Sequence, residues 1–112
     1  GYNELIFRMA INLFDTGSNE WDAIRAMDIM KEKGAHDSEF RLRVDKIIEP
    51  DSGYDWHTVE RALEIIAELV SEDQLQSYIE KIDKLSRIDS SAAVRDRALM
   101  ALKKLDPTLY FA

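Results

Sequence analysis

"RALEIIAEL", Arg61–Leu69, is one of three stretches on which the reading of this chain turns. The other two are "RAMDIMKEK", Arg25–Lys33, and "RALMALKKL", Arg97–Leu105. Each begins with Arg-Ala followed by Leu or Met, and the arginines at 25, 61 and 97 are 36 residues apart. Apolar residues keep step: Ile29, Ile65 and Ala101, then Met30, Ile66 and Leu102. An internal period in the range of roughly 20 to 50 residues marks an array of helical units. One such unit cannot bury both of its apolar faces, so units stack and share a core. Small residues at Ala26, Ala62 and Ala98 allow the helices to approach closely.

Working outward, apolar spacing predicts six helices, over roughly 3–14, 19–33, 38–49, 56–70, 73–87 and 91–105. Short polar breaks separate them, and no stretch alternates with the period of a strand. Expected N-caps are Ser18 or Asn19, Asp37 or Ser38, Asp55, Ser71 and Ser90. Gly34, behind "MKEK", reads as a glycine just past a helix end. The expected fold is all-α, a right-handed stack of three antiparallel helix pairs in one domain. The pairs span about 2–34, 37–70 and 72–106, with 107–112 as a tail or cap. The middle pair should be the most buried, because Val59, Ala62, Leu63, Ile65, Ile66, Ala67, Leu69 and Val70 make a stripe too broad for one face. The periodic arginine reads as a solvated flank.

The last pair resembles a HEAT repeat. "DSSAAVRDRALMALKKL" carries that family's inter-helix Asp at Asp89, its Val-Arg step at Val94 and Arg95, a small residue at Ala98 and closing leucines at Leu102 and Leu105. The resemblance implies an α-solenoid that serves as a protein-binding scaffold, and it implies no catalytic residue. "YNELI" from Tyr2 and "AMDIMKEKG" ending at Gly34 look like the opening and closing of a pentatricopeptide repeat, which would imply single-stranded RNA binding. Only the first pair matches, and later units lack the tyrosine-asparagine start.

Charge sets the partner class. With 15 Lys and Arg against 22 Asp and Glu, the net charge of −7 repels a phosphate backbone and attracts a basic protein. No apolar run approaches a membrane span. The absence of cysteine excludes disulfides, thiolate metal sites and cysteine nucleophiles, and fits a cytoplasmic protein. Gly1 in place of a starting methionine points to an engineered start or a cut from a longer chain.

"EPDSGYDW", Glu49–Trp56, is the longest break. Pro50 stops the third helix, Gly53 permits a turn, and Asp55 caps the next helix with Tyr54 as its staple. Trp56 follows Trp21 by 35 residues, which suggests two indoles packed under successive turns. A calcium loop needs a longer ladder of oxygen ligands than "DSGYD" offers. His36 and His57 each head an H-x-x-E at a helix start, the reverse of the E-x-x-H of di-iron bundles, so no metal or cofactor is expected. Paired carboxylates such as Asp28/Glu32, Glu60/Glu64 and Glu64/Glu68 read as a solvated face, and no catalytic motif is present.

The expectation is therefore a non-enzymatic interaction module for a basic protein, such as an inhibitor or immunity protein against a nuclease toxin domain. Glu49, Asp51, Tyr54, Asp55, Trp56, Glu60 and Glu64 form the expected contact edge. Two alternatives are a fragment of a larger helical scaffold and a pentatricopeptide-like RNA binder. The first helix, with Leu5, Ile6, Phe7, Met9, Ile11, Leu13 and Phe14, is too apolar for one face. It is expected to be capped by the C-terminal residues, or to mediate partner binding or self-association.

Overall fold

The computed structural model describes residues 1–106 and 108, and among them the chain is all-helical, with six α-helices and no strand. These are α1 (Tyr2–Thr16), α2 (Glu20–Gly34), α3 (Ser38–Ile47), α4 (Trp56–Leu69), α5 (Glu72–Ile88) and α6 (Ala92–Leu105). None is long and apolar enough to cross a membrane. The expected cap formed by 107–112 lies outside the described residues.

The starts of α2, α4 and α6 repeat one local design. Asn19, Asp55 and Ser91, spaced by 36 residues, each accept a hydrogen bond from the N–H three residues on, that of Asp22, Thr58 and Val94. Each cap satisfies one amide that the helix itself leaves unpaired. Ser91, not Ser90, caps α6; the Ser90 N–H goes instead to Asp51. Asp37 caps α3 through the Glu39 N–H, while Ser71 precedes α5 without a side-chain cap bond.

Sequential helices pack as neighbours at α1–α2, α2–α3, α3–α4 and α5–α6, and the even helices also touch in the order α2–α4–α6. Their shared positions are apolar or small. Ala26, Ala62 and Ala98 are all fully buried, as are Met30, Ile66 and Leu102 to within 1%. Each buried aliphatic side chain contributes on the order of 1.5–3 kcal/mol of transfer free energy. The odd helices meet through longer polar side chains. Arg8 of α1 pairs with Glu39 of α3, and Arg43 of α3 holds Asp15 of α1 at 2.7 Å. Between α3 and α5, the Tyr78 hydroxyl donates to Asp45 at 2.6 Å.

The helices α3 and α4 are the best covered, as the composition of α4 predicts. Phe40, Val44 and Ile47 of α3 are fully buried, and Val59, Ala62, Leu63, Ile65 and Ile66 of α4 are no more than 2% exposed. The stripe is narrower than expected, since Ala67 is exposed and Leu69 and Val70 only half-buried. Two other expectations are corrected. Gly34 is the last residue of α2, not a left-handed cap, and Ala35 follows it in right-handed geometry. A Cβ at Gly34 would lie 2.7 Å from the Phe7 ring, so the glycine is there to admit α1. The third helix ends at Ile47 rather than 49, because Ile48 has already left helical geometry two residues before Pro50.

Candidate functional site

Two regions bring together the residues singled out in the sequence: the edge formed by the α3–α4 loop, and a groove between α4 and α6.

At the edge, the loop is fastened by reciprocal bonds. Asp89, buried between α5 and α6, accepts the Asp51 N–H and the Ser91 N–H, both at 2.9 Å. Asp51 in turn accepts the Ser90 N–H at 2.9 Å, and this bonding to Ser90 holds its carboxyl below the ordinary range. To make that reach, Asp51 takes φ of 56° and Gly53 follows at 91°. A left-handed backbone is rare outside glycine, and Asp is among the few residues that tolerate it. Tyr54 turns the other way and packs its ring on Phe14 at 5.8 Å. Burial pushes its hydroxyl pKa up. Glu49 is exposed at the mouth of the loop, outside these contacts.

Asp55 does more than cap α4. One oxygen accepts the Thr58 N–H at 3.3 Å and the Thr58 hydroxyl at 2.6 Å; the other meets His57 Nδ1 at 2.7 Å. Burial resists ionisation of this carboxyl, but the hydrogen bonds of Thr58, Glu20 and His57 outweigh it and hold the pKa well below the usual range. Glu20, in the first turn of α2, is pushed the opposite way by its hydrogen bond with Asp55, with burial adding to the effect. Glu20, Asp55 and His57 thus place three ligand-type atoms within 4.8 Å of one another. The Asp55 oxygens are taken up by Thr58 and His57, and the group brings the start of α2 beside the start of α4. Sequence reading named Asp55 and His57 but missed Glu20, whose only signal is its place beside the periodic cap Asn19.

The indoles do not share one environment. Trp56 is half-buried, stacked on His57 at 3.6 Å, with the Arg97 guanidinium 4.5 Å from its ring centre. Trp21 is 60% exposed and only tilts toward His57 at 5.8 Å, so the expectation of two indoles packed under the turns holds for neither in full.

Two of the three periodic arginines, Arg61 and Arg97, are struts, whereas Arg25 is the solvated flank that the sequence suggests. Arg61 of α4 reaches back to Asp28 of α2 at 2.7 Å and down its own helix to Glu64 at 3.0 Å. Arg97 of α6 reaches back to Glu60 of α4 at 3.2 Å. Lys31 of α2 reaches forward to Glu68 of α4 at 2.7 Å, which lowers the Glu68 pKa. Arg25 is exposed and has no partner among the described residues.

Between α4 and α6 lies an open groove of about 370 Å³. Leu63, Ala67, Met100 and Ala101 line its floor; Glu60, Glu64 and Glu68 line one bank, with Arg97 and Lys104 on the other. Of the seven residues expected to form the contact edge, Glu60 and Glu64 stand on this groove. Asp51, Tyr54, Asp55 and Trp56 border a second crevice of about 450 Å³ between the α3–α4 and α5–α6 loops. Sequence reasoning missed Met100 and Ala101, because a packing position at the open side of a helix looks like any other.

No protein-family model, curated protein or solved structure matches this chain.

Proposed function

We propose that the chain is a non-enzymatic protein-binding module, a short right-handed HEAT-like solenoid of three helix pairs whose even-helix groove seats a basic segment of a partner protein. The observation that carries the reading is the α4–α6 groove, an apolar floor beneath three glutamates on one bank. An apolar cleft with a carboxylate rim fits an amphipathic helix with cations along one border. The rim glutamates already pair with Arg61, Arg97 and Lys31, but exposed pairs are worth only about 0–1 kcal/mol each. A partner's lysines can replace them at little cost, while the net charge of −7 speeds encounter. The 36-residue period, the repeated caps and the Asp51–Asp89 clasp support the solenoid reading. An immunity protein that covers the cationic site of a nuclease toxin domain is the case that size and charge favour, and a cysteine-free chain suits the cytoplasm for that role.

Fluorescence titration against two amphipathic helical peptides tests this. The peptides share an apolar face and differ only in carrying lysines or glutamates on the polar face. The cationic peptide binds, more weakly as salt rises, and Met100→Glu together with Glu64→Lys weakens it at least about tenfold, or ~1.4 kcal/mol. Equal binding of both peptides, or preference for single-stranded RNA over the cationic peptide at low salt, would refute the proposal.

A further inference from the structure

The starts of α2 and α4 together hold a set of donors that neither helix holds alone. Glu20 is in the first turn of α2, Asp55 caps α4, and His57 is the second residue of α4. One ligand atom from each lies within 4.8 Å of the other two, and all three side chains are half-buried. Two of the three are held in place by neighbours. Thr58 fixes Asp55 through its N–H and its hydroxyl, and Trp56 stacks on the His57 ring at 3.6 Å. Glu20 and Asp55 also line a crevice of about 410 Å³ between the α1–α2 and α3–α4 loops. The charge of the group is unmet. The carboxyl groups of Glu20 and Asp55 are in hydrogen-bond contact, and two ionised carboxylates at that distance repel unless something positive lies between them. Among the described residues neither pairs with a Lys or Arg, and Asp55 has only the His57 ring.

We propose that Glu20, Asp55 and His57 bind one first-row divalent metal ion of the zinc class, with a further coordination position open to the crevice. The imidazole decides the class. Calcium and magnesium take oxygen ligands, whereas zinc and its neighbours accept nitrogen and oxygen together. Three protein ligands and one open position are the usual set of a zinc site that keeps a water. His57 Nδ1 and Asp55 Oδ2 stand 2.7 Å apart, the spacing of a shared proton. Metal–ligand bonds of roughly 2.0–2.2 Å set neighbouring donors about 3.0–3.4 Å apart, so the two atoms part slightly as the ion takes the proton's place. That proton goes to Nε2 or to solvent. The unpaired N–H groups at the starts of α2 and α4 oppose a cation with together about one unit of charge, and two ionised carboxylates exceed that. None of the three residues lines the α4–α6 groove, so the site stands apart from the proposed partner site.

Calorimetric titration of the chain, free of any histidine tag, with Zn²⁺ and then with Mg²⁺ and Ca²⁺ tests the site. One Zn²⁺ is expected to bind in the micromolar range, at least about a hundredfold tighter than Mg²⁺ or Ca²⁺. Saturating Zn²⁺ raises the melting temperature by at least about 3 °C. Glu20→Gln and His57→Phe, the latter keeping a ring against Trp56, each weaken Zn²⁺ at least about tenfold while circular dichroism matches the parent. His36→Gln removes the other histidine and leaves binding unchanged. Co²⁺ at the same place quenches the emission of Trp21 and Trp56, whose rings lie 5.8 and 3.6 Å from that of His57, and His57→Phe abolishes the quenching. Absence of saturable Zn²⁺ binding, Mg²⁺ or Ca²⁺ bound as tightly, full binding by Glu20→Gln or His57→Phe, or an equal loss in His36→Gln would overturn the proposal.

Discussion

Residues that look alike along the chain do different jobs once their neighbours are known. Arg61 and Arg97 follow one pattern in sequence, and each takes a charge partner from the preceding even helix, 33 and 37 positions back, whereas Arg25 has none among the described residues. Removing one of these half-exposed struts is expected to cost about 0.5–1 kcal/mol, and a double-mutant cycle of Arg61→Ala with Asp28→Ala in urea should leave that coupling. Gly34 is a packing residue. Gly34→Ala is expected to cost about 1–3 kcal/mol by urea unfolding, and Phe7→Leu, which shortens the obstructing side chain, should remove most of that increment. The Glu20–Asp55 contact has a definite sign with pH. Glu20 is held above its ordinary value, so its contribution is complete at low pH and is lost as pH rises through its folded pKa. Asp55 is depressed, so its contribution is complete above the ordinary aspartate range and is lost only as pH falls through its folded value. Glu20→Gln keeps a donor for Asp55 at every pH. It is expected to raise the melting temperature near pH 7 and to flatten its dependence on pH toward about 4. A lower melting temperature at pH 7 would contradict this reading of the contact.

Elements were the most legible level. The six helices follow from apolar spacing alone, because a 15-residue stretch that repeats its apolar face every third or fourth position has no other regular way to bury it. The starts of α2, α4 and α6 held a clearer signal than the arginines, since Asn19, Asp55 and Ser91 keep the 36-residue period in a hydrogen-bond role. Loop chemistry was less legible. Pro50 and Gly53 announce a turn, but that Asp51 would be drawn into left-handed geometry by Asp89 depends on a residue 38 positions away. The groove floor was hidden for the same reason: Met100 and Leu102 are equally apolar in sequence, yet one is half exposed and the other 1% exposed. The buried residues of α3 and α4 should therefore carry the energetics. Ile66→Ala is expected to cost about 2–5 kcal/mol, whereas Ile88→Ala, at an exposed helix end, should stay within about 0.5 kcal/mol. Chemical denaturation of the two variants side by side checks the contrast.

Taken whole, the molecule is elongated, 48 × 29 × 15 Å, with cover on both sides only for its centre. Amide exchange should reflect that gradient, slowest in α4 and fastest in the outer turns of α1. Uniform protection across the six helices would show that the units do not differ in stability. The even helices also share a direction. Glu20 and Trp21 sit by Asp55 and His57 near their starts, Lys31 sits by Glu68 near their ends, and Arg97 sits by Glu60 one helix further on. Three parallel helices align their peptide dipoles, so the edge where they begin gathers the equivalent of about half a positive charge from each. Glu20, Asp51, Asp55 and Asp89 all lie along that edge, where the three aspartates accept backbone N–H groups. Four of the chain's 22 acids thus face the positive ends of its own helices, and a visitor meets the charge of the others, the glutamates of the α4–α6 groove among them.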